Sequence, residues 1–131
     1  MIVLGTNTDI DTDGMFDVWE FDHALNPLSA LDAVLDPDLD SFINRQEFIA
    51  DTEPFNSNSY LRVTGFALGN SQTIAFPSSA ARIYNVDFSS NLLSPDWVSL
   101  VVGVPGSNGG TSVVDTNDAP ARSYRIEAEV P

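Results

Sequence analysis

Two acidic stretches of this chain repeat one another at a fixed offset of 27 residues. The first reads Asp9-x-Asp11-x-Asp13-Gly14-x-x-Asp17-x-x-Glu20. The second reads Asp36-x-Asp38-x-Asp40-x-x-x-Asn44-x-x-Glu47. Apolar positions keep the same offset: Phe16 matches Ile43, and Phe21 matches Phe48. A solvated run of like charge has no reason to carry its apolar positions in register. Carboxylates this close repel one another unless a cation lies among them. The fold of the amino-terminal part therefore has to be one that gathers oxygen atoms.

The spacing is that of a 12-residue calcium loop, which supplies ligands from positions 1, 3, 5, 7, 9 and 12. In the first repeat those are Asp9, Asp11, Asp13, the carbonyl of Met15, Asp17 and Glu20. In the second they are Asp36, Asp38, Asp40, the carbonyl of Phe42, Asn44 and Glu47. Position 12 calls for a long carboxylate that binds through both oxygens, which Glu20 and Glu47 provide. Position 6 calls for a sharp turn. Gly14 makes it at no steric cost, whereas Ser41 must adopt a backbone angle unfavourable to any residue with a Cβ. With Ser41 at the turn and a neutral Asn44 among the ligands, the second site is expected to be the weaker. The chain has no Cys, and its single His lies outside both loops. Zinc or copper would require sulfur or imidazole. Magnesium prefers strict octahedral geometry and more water. Two calcium ions are the expected cofactors.

Charge is divided unevenly. Of the net −14, residues 1–55 hold 13 acids against one base, Arg45, and residues 56–131 hold six acids against four Arg. Lys is absent. No basic patch exists for nucleic acid, and no stretch is long enough to insert in a membrane. A small secreted domain without disulfides needs another staple, and calcium can serve as one. Millimolar calcium is an extracellular condition, so a secreted or cell-surface location is expected. Ile2-Val3-Leu4 is too short for the apolar region of a secretory signal, so the natural chain is expected to extend further at that end.

Val18, Phe21 and Leu25 have helical spacing, broken by Asn26-Pro27. Leu28, Leu31 and Leu35 form a second short apolar stripe. Phe48 continues a third short helix that Thr52-Glu53-Pro54 ends. Gly5-Thr6-Asn7-Thr8 argues against a helix entering the first loop. The polar Asn56-Ser57-Asn58-Ser59 marks a boundary. Beyond it the period changes to two, with expected strands at 60–66, 73–76, 82–88, 97–102, 111–114 and 123–128, and a turn over Gly103–Gly110. The expected fold is α+β: a short-helix calcium-binding unit over residues 1–55, then a small antiparallel β-sandwich over 56–131.

The stretch 9–20 resembles the bacterial thrombospondin type 3 repeats, calcium-binding relatives of EF-hands and dockerins. Leu25-Asn26-Pro27-Leu28 and the run from Asp36 to Pro54 continue the similarity. Ala81-Arg82-Ile83-Tyr84-Asn85-Val86, Asn91-Leu92, Trp97 and Ser123-Tyr124-Arg125-Ile126 are similar to the small fibronectin-III-like β-sandwich that often closes such proteins. The resemblance is specific for the loops and loose for the sandwich. It implies an exported bacterial protein and no particular activity.

An enzyme is not expected. His23 has no partner in the sequence, no nucleophile elbow is present, and metal-bound carboxylates are unfit for proton transfer. The expectation is a calcium-rigidified structural or adhesive module. A self-assembling filament subunit is the alternative, with Ile2–Leu4 adding to a neighbouring sheet. A carbohydrate-binding module is a further one, since Trp19, Trp97, Tyr60, Tyr84 and Tyr124 could stack on a glycan. Core packing is the commoner fate of such rings. Trp19 is expected to pack between the loop unit and the sandwich.

Overall fold

The computed structural model describes residues 7–67, 71–91, 93, 96–116 and 122–131. Ile2–Leu4 and Leu92 lie outside them. The chain divides into two compact units between Tyr60 and Leu61. Each is built on a different principle.

The first unit has little regular structure: helix α1 (Asp17–Asp22), a single 3-10 turn (Asp32–Val34) and helix α2 (Asn44–Ala50). Neither helix is long enough to be stable alone in water. Phe48 supplies the main apolar contact between them, with Phe16 and Trp19 both set edge-on to its ring at 5.1 and 5.3 Å. Within the first unit Trp19 packs against Phe48. It stacks on His23 and donates its indole N–H to Asp51 Oδ1 at 2.8 Å. The expected apolar stripes do not form. Phe21, Leu28, Leu31 and Leu35 are all more than half exposed. Six residues of α1 and three of the 3-10 turn are too few to present a continuous apolar face.

The second unit holds two three-stranded antiparallel sheets, ordered β1-β2-β5 and β4-β3-β6. The strands are β1 (Gly65–Ala67), β2 (Gln72–Ser78), β3 (Ile83–Ser89), β4 (Val98–Pro105), β5 (Gly109–Asp115) and β6 (Ser123–Glu129). Most boundaries shift by one to three residues, and two differences are larger. Residues 60–64 are not strand, because β1 pairs with β2 only from Gly65. The stretch 103–110 is mostly strand, with a turn confined to 106–108. Gly103 serves a bulge instead: between Tyr84↔Val104 and Val86↔Val101, β4 carries one extra residue. Gly103 accommodates it with φ +73°, and its N–H donates to Asn85 Oδ1 at 2.9 Å.

The sheets share one apolar cluster. Phe76 and Val113 from one sheet meet Tyr84, Val86 and Ala128 from the other. A polar tie crosses the same interior. The Tyr124 hydroxyl on β6 donates to Asp115 Oδ2 on β5 at 2.8 Å and lies against the Gln72 side chain on β2. Burial and the Asp115 carboxylate push the Tyr124 phenol up to about 12. Arg122 pairs with the same Asp115 oxygen at 2.7 Å and lies over the Phe88 ring. A buried carboxylate is tolerable only with such partners.

Candidate metal centre

Each acidic repeat folds by bonding its carboxylates to its own backbone. In the first, Asp9 Oδ1 accepts the Asp13 N–H at 3.2 Å, and Asp9 Oδ2 the Gly14 N–H at 3.0 Å. Asp11 Oδ1 also accepts from Asp13 at 3.3 Å, and Asp13 Oδ1 accepts from Met15 at 2.8 Å. The second repeat makes the same four bonds. Asp36 accepts from Asp40 at 3.2 Å and from Ser41 at 3.0 Å. Asp38 accepts from Asp40 at 3.2 Å, and Asp40 from Phe42 at 2.9 Å.

The backbone repeats as closely. Thr12 and Leu39 have φ of 64° and 63°, and Ala24 and Asp51 have 59° and 55°. Gly14 and Ser41 have 96° and 82°, so the serine does adopt the strained angle that its position requires. Each loop is closed by an equivalent pair: Asp17 N–H to the Thr8 carbonyl and Asn44 N–H to the Leu35 carbonyl, both at 2.8 Å.

Asp9 and Asp36 accept through both oxygens, whereas Asp11, Asp13, Asp38 and Asp40 use one oxygen and leave the other bare among the described residues. Asp11 Oδ2, Asp13 Oδ2, Asp17 Oδ2 and both oxygens of Glu20 are buried without a hydrogen-bond donor among the described residues. In the second repeat the same holds for Asp38 Oδ2, Asp40 Oδ2, Asn44 Oδ1 and Glu47 Oε2. Asp17, Glu20, Asn44 and Glu47 are almost wholly buried. A buried polar oxygen without a donor costs roughly 1–3 kcal/mol, and more when charged. A hard cation would find only oxygen donors in either loop.

The electrostatics agree. Burial pushes the Glu20 carboxyl up to about 8, and Asp13, Asp11, Asp32 and Asp17 add repulsion. Burial likewise raises Glu47 to about 7 against the opposing hydroxyl of Thr52, with Asp38, Asp40 and Asp36 contributing repulsion. Asp11, Asp13 and Asp38 are also raised, burial first.

Carboxylate oxygens within 4.8 Å of one another form three groups among the described residues: Asp9 with Asp11 and Asp13, Asp36 with Asp38 and Asp40, and Asp13 with Glu20 and Asp32. Asp32 was not foreseen from the spacing, because it lies between the two loops. The one sequence hint is the shortage of bases: with Arg45 alone to neutralise residues 1–55, a further aspartate there has few partners but a cation. Arg45 itself reaches from α2 to the Asp13 carbonyl at 3.4 Å. Met15 is fully buried, and Phe42 stacks on Tyr60 at 5.8 Å.

The rings considered for glycan stacking are dispersed. Tyr84 lies in the core, Trp97 lies under Arg125, and Tyr60 and Trp19 lie against Phe42 and His23. His23 Nδ1 sits 2.7 Å from the Trp19 carbonyl, and Nε2 lies 3.7 Å from Glu53. No family model, curated protein or solved structure matches the chain.

Proposed function

We propose that this chain is a non-enzymatic calcium-binding module, in which two EF-hand-like, thrombospondin type 3-like loops each hold one ion and stiffen the first unit. One observation carries the reading. Two repeats in the same backbone register each secure their loop with one oxygen of a carboxylate and keep the other buried without a donor. Calcium takes six to eight oxygens and suits such a set. The bound ion replaces mutual repulsion with shared coordination and fixes the directions in which the flanking segments leave. The second unit is then a small β-sandwich, and the whole serves as an extracellular spacer, adhesive or assembly unit of a secreted or surface protein.

Calorimetric titration of the intact chain tests the reading. Two calcium ions per chain are expected, with Glu20→Gln abolishing uptake at the first loop and leaving one ion bound at the second. Absence of calcium uptake by the parent chain would refute it. Glycan-array binding and concentration-dependent polymerisation in calcium then separate adhesion from assembly.

A further inference from the structure

Asp32 belongs to neither repeat, yet its carboxylate meets the first. One ligand oxygen each of Asp13, Glu20 and Asp32 lie within 4.8 Å of one another. Asp32 Oδ2 accepts the Asn26 N–H at 2.8 Å, which aims the group, while Oδ1 is buried without a donor. Glu20, in the same cluster, has no exposed surface and no donor on either oxygen among the described residues.

The backbone of Asp32 faces the other way. Its carbonyl accepts from Asn44 Nδ2 at 2.9 Å. Asn44 is the position-9 residue of the second loop and is 1% exposed. In the first loop the corresponding Asp17 Oδ1 is occupied by the Ile10 N–H at 2.9 Å. The second loop has Pro37 where the first has Ile10, and proline has no N–H to give. Asn44 Oδ1 is consequently left bare in the second loop, with the amide oriented by its bond to Asp32.

We propose that Asp32 is a ligand of the cation held by the first loop, and that through Asp32 the filling of the first site prepares the second. This rests on the calcium reading above. The ion draws in the Asp32 carboxylate and so fixes the 3-10 turn Asp32–Val34. The fixed turn sets the Asp32 carbonyl, which holds Asn44 ready for the second ion. The ordering cost of the connecting segment is met once, giving positive cooperativity. By linkage the second ion strengthens the first by the same factor.

Calcium calorimetry on the intact chain and on Asp32→Asn tests this. The variant keeps an acceptor for Asn26 and the same backbone carbonyl. It also sheds a repelling charge, so folding without the ion is not harmed. Both proteins are expected to bind two ions, with the tighter step weakened by at least about tenfold in the variant and the cooperativity gone. A variant that titrates like its parent would overturn the proposal and leave the calcium reading intact. So would a parent that binds three ions and loses one on substitution, since Asp32 would then hold an ion of its own. A parent that takes up no calcium ends both. Coupling has an independent readout in the parent chain. The Asn44 side-chain amide signals in an NMR titration are expected to shift with the first equivalent of calcium. Signals that stay put until the second equivalent overturn the coupling.

Discussion

Glu20 and Glu47 occupy the same place in the two repeats, and both are held protonated far above the ordinary carboxylate range, to about 8 and about 7. In the unfolded chain the same groups lose their protons near pH 4.5. Between these values the calcium-free folded chain binds more protons than the unfolded one, so its stability falls as pH rises. On the proposed reading, protons and calcium compete for the same oxygens, so affinity for the ion should rise across that window. In chelator, the melting temperature should drop between about pH 4.5 and about pH 8, and saturating calcium should abolish or reverse the drop. Ser41 gives a second residue-scale test. Its φ of 82° strains a residue with a Cβ, whereas glycine adopts that angle freely. The strain relieved exceeds the extra chain entropy of glycine, so Ser41→Gly should stabilise the calcium-loaded chain by about 1 kcal/mol in denaturant unfolding.

At the scale of elements, α1 and α2 are anchored by one ring. Phe48 is 3% exposed and receives the edges of Phe16 and Trp19. Phe48→Ala should cost about 3 kcal/mol or more, read as loss of the first unit's unfolding transition in chelator and its partial recovery in calcium. The same elements show what a sequence can and cannot disclose. The repeated turns of the two acidic stretches were legible because their spacing is a property of local backbone: Gly14, Ser41 and the aspartates between 9 and 17 bond within a few residues of themselves. The strands of the second unit were legible in the same way, through alternation, apart from the short β1 and the bulge at Gly103. The Leu28, Leu31 and Leu35 stripe misled because helical spacing predicts burial only where a helix exists to bury it. Asp32 was illegible because its meeting with Glu20 depends on the intervening turn at Asn26, a tertiary fact that no spacing encodes.

Across the whole molecule, the two units differ in what they bury. The second has an apolar cluster fed by both sheets and an Arg122–Asp115–Tyr124 tie that crosses them. The first has two helices of six and seven residues and carries most of the chain's negative charge. Two divalent ions would cancel four of those charges and supply the order that apolar burial does not. Amide hydrogen exchange on the intact chain, in calcium and in chelator, tests this most directly. Protection in residues 7–60 should collapse on chelation, while β2, β3, β5 and β6 keep theirs. Identical protection of both units under the two conditions would contradict the account.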